Sequence, residues 1–113
     1  MVQADWRTIV VEQLEMLASF DAQLEYERNV SHVYVSQELV EGWFSDSYHP
    51  TDTAFRQCFS LEELEDLDEF HAMFDKALTV LPSSHGSIVS WQKTAPWIDV
   101  RDQAVRTLQK LLV

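Results

Sequence analysis

Apolar residues recur at helical spacing in several separate stretches of the chain. The best marked of these lies between Phe59 and Pro82, where apolar and aromatic positions follow one another at steps of three and four residues. These positions are Leu64, Leu67, His71, Phe74, Leu78 and Leu81. Ser60 and Glu63 have the spacing of a capping box, and Pro82 cannot continue a helix. The pattern therefore predicts a helix over residues 60–81 with one apolar face.

Three further amphipathic stretches are predicted to form helices. The first runs from about residue 4 to the mid-twenties. The second is expected to begin with Ser36 as its N-cap and to continue through Phe44. The third follows Pro96, because proline is tolerated in the first turn of a helix. Single helical turns are expected at residues 55–58, capped by Thr51 or Asp52, and at residues 88–91.

The predicted fold class is all-α, with residues 1–113 forming a single helical domain. Glycine occurs twice and proline three times, which suits long helices joined by few turns better than many hairpins. We expect a bundle of about four main helices with short extra helical turns.

Residues 23–35 allow a second interpretation. Leu24 to Glu27 alternate between apolar and acidic like a strand, and Val33 to Val35 could form its partner after a turn. A hairpin here would change the fold class to α+β, although two strands alone are only marginally stable. We therefore keep the hairpin as the alternative.

The chain is strongly acidic, with 19 acids, eight lysines and arginines, and a formal charge of −11. Nucleic-acid affinity comes largely from basic side chains that displace counterions, so we expect no direct nucleic-acid binding. Anionic membranes are disfavoured in the same way, and no run approaches the ~20 apolar residues of a membrane span. The single cysteine, Cys58, and the absence of a recognisable signal peptide favour a cytoplasmic protein.

The acids are concentrated in the predicted helix 60–81, where six of eight successive positions are Asp or Glu. Four of them share one helical face: Glu62, Glu65, Asp66 and Glu69. Like charges four residues apart destabilise a helix by roughly 0.2–0.5 kcal/mol per pair, and the helix dipole offsets this only in the first turn. The face therefore either serves solubility or docks a basic protein surface. Three bases of the last helix are expected to neutralise part of it: Arg101, Arg106 and Lys110.

The preceding loop supplies further candidate contacts for a partner. Trp43 and Phe44 are expected in the core, whereas Asp46, Tyr48 and His49 are the candidates for an exposed interface. Enzymes that act on nucleic acids present basic clefts, so we expect an inhibitor or immunity-type protein that neutralises such an enzyme or toxin. The alternative is a non-catalytic assembly module that forms a homodimer through the apolar faces of its terminal helices.

Catalytic and metal chemistry have little support in the sequence. There is no glycine-rich phosphate loop and no nucleophile-elbow motif. Asp68 and His71 have the spacing of one metal-binding pair in carboxylate bundles, yet no second copy of that pair exists. We expect His71 to be partly buried and hydrogen-bonded to a carboxylate or a carbonyl, with no catalytic residue, metal or cofactor.

Overall fold

The computed structural model describes residues 5–112, which form seven α-helices and one π-helix and contain no strand. The helices are α1 (Trp6–Leu17), α2 (Phe20–Asn29), α3 (Val35–Glu41), the π-helix (Gly42–Ser47), α4 (Thr53–Arg56), α5 (Leu61–Leu78), α6 (Ile88–Gln92) and α7 (Ala95–Leu111). The all-α prediction is confirmed. The hairpin alternative at residues 23–35 is wrong, because Leu24 to Glu27 lie within α2, where Leu24 and Tyr26 pack against the core.

The core is built where α7 packs against both α1 and α5. Its largest fully buried side chains are aromatic: Trp43, Trp91, Trp97, Phe55, Phe70 and Phe74. Most apolar side chains of α1 and α7, whose faces the homodimer hypothesis assigned to a second copy, are therefore buried within the chain, although Val105 and Leu112 are exposed. None of the helices in residues 5–112 combines the length and apolar character that crossing a bilayer requires.

The predicted first helix is divided in two, which corrects the sequence-based boundary. Helix α1 ends at Leu17, and the Ser19 side chain accepts a hydrogen bond from the backbone N–H of Ala22, so that a new helix begins. The break is stabilised by Gln23, whose buried Nε2 donates to the carbonyls of Met16 and Leu17. A buried side chain thus satisfies carbonyls that the end of α1 leaves free. Residue 4, where the prediction placed the helix start, lies outside the described residues.

The second predicted helix also differs from expectation at both ends. Tyr34, not Ser36, occupies the N-cap position, and Ser36 is buried inside α3. At Gly42 the α-helix widens into the π-helix, in which the N–H of Tyr48 donates to the carbonyl of Trp43. The burial of Trp43, expected from the sequence, is confirmed.

The remaining helix signals are confirmed with small shifts. Ser60 and Glu63 form the predicted capping box of α5, and the helix ends at Leu78, four residues before Pro82. Asp52 caps the single turn of α4. Thr94 caps α7, with a proline in the first turn as predicted.

Candidate functional site

Helix α5 separates an apolar face from an acidic one. Leu67, Phe70 and Phe74 are fully buried against the core, while Glu62, Glu65 and Glu69 are exposed on the outside of the helix. Phe70 was not among the expected core positions, because it lies between the positions of the predicted stripe. The helix is held at its N-terminal end by Glu63, whose role extends beyond the capping box.

Glu63 and Arg7 form the most extensive charged contact of the described chain. The Arg7 guanidinium donates to both Glu63 oxygens, at 3.0 and 2.6 Å, and its two terminal nitrogens also reach the carbonyls of Cys58 and Leu111. The pKa of Glu63 is lowered from 4.5 to about 2, mainly by the hydrogen bonds from Arg7 and in part by the hydrogen bond from the backbone N–H of Ser60. One arginine of α1 thereby fixes the start of α5 and the end of α7.

Two other acids of α5 also have internal partners. Asp66 accepts from Nζ of Lys110 on α7 at 3.1 Å, so one of the three predicted basic contacts is present. Asp68 accepts from the hydroxyl of Tyr48 at 3.3 Å. The expectation for the other two bases is wrong: Arg101 pairs with Asp102, and Arg106 bonds the side chain of Gln103.

The six clustered acids of α5 therefore divide into two groups of three. Glu63, Asp66 and Asp68 are bonded within the fold, whereas Glu62, Glu65 and Glu69 make no ion pair with any described residue. The second group, at i, i+3 and i+7, is called the outer acidic face below. Within residues 5–112 these three carboxylates neither cap a helix nor form an ion pair. Their charge is therefore available to solvent or to a partner.

A groove runs beside the outer acidic face and is called the α5 groove below. It encloses about 320 Å3 and is lined by Tyr48, Pro50, Arg56, Leu61, Leu64, Glu65 and Asp68. Leu61 is 76% exposed at the first position of the helix, although large apolar side chains are usually buried. The groove thus combines an apolar edge with two carboxylates and one guanidinium.

Tyr48 and His49 are less accessible than the sequence suggested. The expectation that Tyr48 is exposed is wrong, because its residue is only 6% exposed and its ring stacks on Trp43 at 5.1 Å. Burial and the neighbouring Asp68 carboxylate raise the pKa of Tyr48 to about 12. His49 is partly buried, with its ring 4.8 Å from that of Trp6. Tyr48 nevertheless is one of the residues that line the α5 groove.

Asp46 lies in a different groove from Tyr48 and Glu65. It is exposed, and it lines a groove between α1, α3 and the π-helix together with Glu12 and Glu38. Asp46 belongs to the π-helix and Tyr48 is its C-cap residue, so two residues expected in one loop line different grooves. The seven predicted contact residues therefore do not form one cluster.

His71 has a partner that the sequence did not suggest. The indole Nε1–H of Trp43 donates to Nδ1 of His71 at 3.2 Å, and the imidazole lies against the rings of Phe44 and Tyr48. Because Trp is only a donor, Nδ1 must carry a lone pair in this geometry. The expected bond to a carboxylate or carbonyl is therefore wrong. Within residues 5–112, no group of three His, Cys, Asp or Glu side chains is placed to hold a metal ion.

Comparison with known proteins finds no matching family model, no significantly similar curated protein and no significantly similar solved structure.

Proposed function

We propose that the protein is a small acidic binding protein that docks a basic protein surface through the outer acidic face and the α5 groove. The observation that carries the proposal is the division of the α5 acids: Glu62, Glu65 and Glu69 are exposed and make no ion pair within the described chain. Charges that form no ion pair within the fold raise the association rate of an oppositely charged partner and favour it over other partners.

The α5 groove supplies the apolar part of such an interface. Leu61 is exposed beside Glu65, and interfaces bind through buried apolar anchors surrounded by polar groups. A partner whose basic surface carries an apolar side chain would cover Leu61 and meet the outer acidic face at once. This combination favours a protein over a nucleic acid as the partner.

The proposed partner class is a nucleic-acid-acting enzyme or toxin, which the protein would inhibit without catalysing a reaction. Such enzymes hold a phosphate backbone in a basic cleft, and an acidic helix with carboxylates at i, i+3 and i+7 presents negative charge along a comparable line. The proposal places the protein in the cytoplasm, where its target would be made.

The test is capture of the partner by the immobilised protein from a lysate of its source cells. The variant Glu62→Gln/Glu65→Gln/Glu69→Gln is compared with Glu15→Gln/Glu25→Gln/Asp99→Asn, which removes the same charge from exposed positions elsewhere. We expect the wild type and the control to capture a basic protein whose nuclease activity falls as the acidic protein is added. The first variant should lose this capture, and capture by the wild type should weaken as salt rises.

Equal capture by the two variants would refute the assignment of the outer acidic face. If the captured partner has no activity on nucleic acids, the proposed docking of a basic protein would stand. The proposed inhibition of a nucleic-acid-acting enzyme would be refuted.

A further inference from the structure

The groove that contains Asp46 is a second negatively charged surface, separate from the outer acidic face of α5. It encloses about 340 Å3 between α1, α3 and the π-helix, and is called the π-helix groove below. Its described lining includes no lysine or arginine. The side chains that matter here are three carboxylates and three apolar or aromatic groups: Glu12, Glu38, Asp46, Ile9, Met16 and Tyr26.

Backbone carbonyls at the bottom of the π-helix groove are already hydrogen-bonded by side chains of the chain itself. Nε2 of Gln13 donates to the carbonyl of Leu39 at 3.1 Å, and Oγ of Ser47 donates to the carbonyl of Gly42 at 2.6 Å. A Cβ atom at position 42 would lie 2.8 Å from the Gln13 amide. Glycine at this position therefore leaves room for the Gln13 side chain to pass over the backbone there. The carbonyls near the transition from α-helix to π-helix are thus bonded by side chains, and a ligand has no need to bond them.

The carboxylates at this groove are not bonded in the same way. Glu12, Glu38 and Asp46 make no ion pair and accept no side-chain hydrogen bond from any described residue. They also do not form a group of metal ligands within residues 5–112. The surface therefore offers spread negative charge above apolar side chains, which suits an elongated cation better than a single metal ion.

We propose that the π-helix groove binds a lysine or arginine side chain of a protein partner. Such a side chain places an aliphatic stem on apolar surface and keeps its charge at the polar edge, as the lining of this groove requires. Ile9 and Met16 would contact the stem, the carboxylates would contact the cation, and the ring of Tyr26 offers a cation–π contact. A volume of about 340 Å3 is at the lower end of the roughly 300–1,000 Å3 of small-molecule sites, which suits one side chain.

This proposal does not depend on the outer acidic face, and one experiment separates the two. The probe is a hexa-arginine peptide amide, titrated into 15N-labelled protein, with hexa-citrulline as the uncharged control. We expect saturable shifts of backbone amides around Glu12, Tyr26 and Asp46 with hexa-arginine and none with hexa-citrulline. A second, independent set of shifts is expected on the exposed side of α5.

Variants then assign the binding to the groove. Glu12→Gln/Glu38→Gln/Asp46→Asn should weaken the binding at the π-helix groove about tenfold, since each exposed ion pair contributes modestly. The control Glu15→Gln/Glu25→Gln/Asp99→Asn has the same net charge and should keep the affinity within about twofold. Circular dichroism verifies that each variant is folded, and Asp46→Asn alone provides a weaker version of the same test.

Three results would overturn the proposal. One is a shift pattern spread over all exposed acids, Glu15 and Glu25 included, with no saturation at the groove. Another is equal weakening by the groove variant and the control variant. Loss of binding in Glu62→Gln/Glu65→Gln/Glu69→Gln alone would likewise assign the peptide to α5 and not to the π-helix groove.

Discussion

Replacing Glu63 with glutamine tests how much the contact with Arg7 stabilises the fold. Glutamine still accepts the hydrogen bond from Ser60 as part of a capping box, so the substitution removes the charge and keeps the cap. The two Arg7–Glu63 hydrogen bonds, at 3.0 and 2.6 Å, would lose their ionic character, and the glutamine amide would face the guanidinium.

The structure sets the magnitude of the expected loss. A pKa lowered from 4.5 to about 2 corresponds to about 3–4 kcal/mol at about 1.4 kcal/mol per pKa unit. The Arg7 side chain is 37% exposed and Ser60 contributes part of the lowering, so solvent screening and the retained cap reduce the loss. We expect Glu63→Gln to lower the free energy of unfolding by about 1–2 kcal/mol at pH 7.

The pH dependence of this loss follows from the direction of the pKa shift. Between pH 2 and 4.5 the unfolded chain binds a proton at Glu63 that the folded chain does not, so this stabilisation rises with pH. The difference between wild type and Glu63→Gln should be complete above pH 4.5 and should disappear as the pH falls to about 2.

Urea unfolding followed by tryptophan fluorescence at several pH values measures this difference. Asp66→Asn provides the control, because Lys110 is 51% exposed and that ion pair should contribute less than about 1 kcal/mol. A difference for Glu63→Gln that stays constant from pH 7 to pH 2.5 would refute the ionic account of the contact.

Three further perturbations have clear expected outcomes. Gln23→Leu should lower the free energy of unfolding by about 3–5 kcal/mol in urea unfolding, because the Nε1–H of the buried Trp97 and the Leu17 carbonyl lose their partner and the Met16 carbonyl loses one of its two donors; a loss below 1 kcal/mol would contradict this. Thr107→Val should stabilise the protein by about 1 kcal/mol in the same assay, since its buried hydroxyl has no partner within residues 5–112; destabilisation would show that the hydroxyl is bonded. Tyr48 should ionise near pH 12 in a 295 nm titration compared with Tyr48→Phe, and its stabilising contribution should be present below pH 10 and lost as the pH rises through about 12; ionisation near pH 10 would contradict its burial.

Local signals in the sequence were sufficient for the helices that carry their own caps. The capping box of Ser60 and Glu63, the cap at Asp52 and the proline at the start of α7 are all found where their spacing indicates. The two caps depend on hydrogen bonds between residues two or three apart, and the proline depends on its own fixed φ and missing N–H, so a sequence displays all three directly.

Features that depend on distant residues could not be predicted in this way. The break after Leu17 is stabilised by Gln23, which itself accepts bonds from Gln92 and Trp97 on two later helices. The same limit applies to the site. Asp46 and Tyr48 were expected in one loop, yet they line different grooves, and the bond between Tyr48 and Asp68 forms only in the tertiary structure.

The ion pairs of Arg7 and Lys110 show which carboxylates of α5 stay without a basic partner in the described chain. Arg7 and Lys110 bond the two acids of α5 that face α1 and α7, so these bases join helices and leave the outward acids without ion pairs in the described chain. At physiological salt, charges more than about 8 Å apart are largely screened, so the distant bases contribute little at the outer acidic face. Solubility alone would require net charge and no particular placement. The charge-matched control at Glu15, Glu25 and Asp99 therefore separates the two explanations, because it changes net charge equally and placement differently.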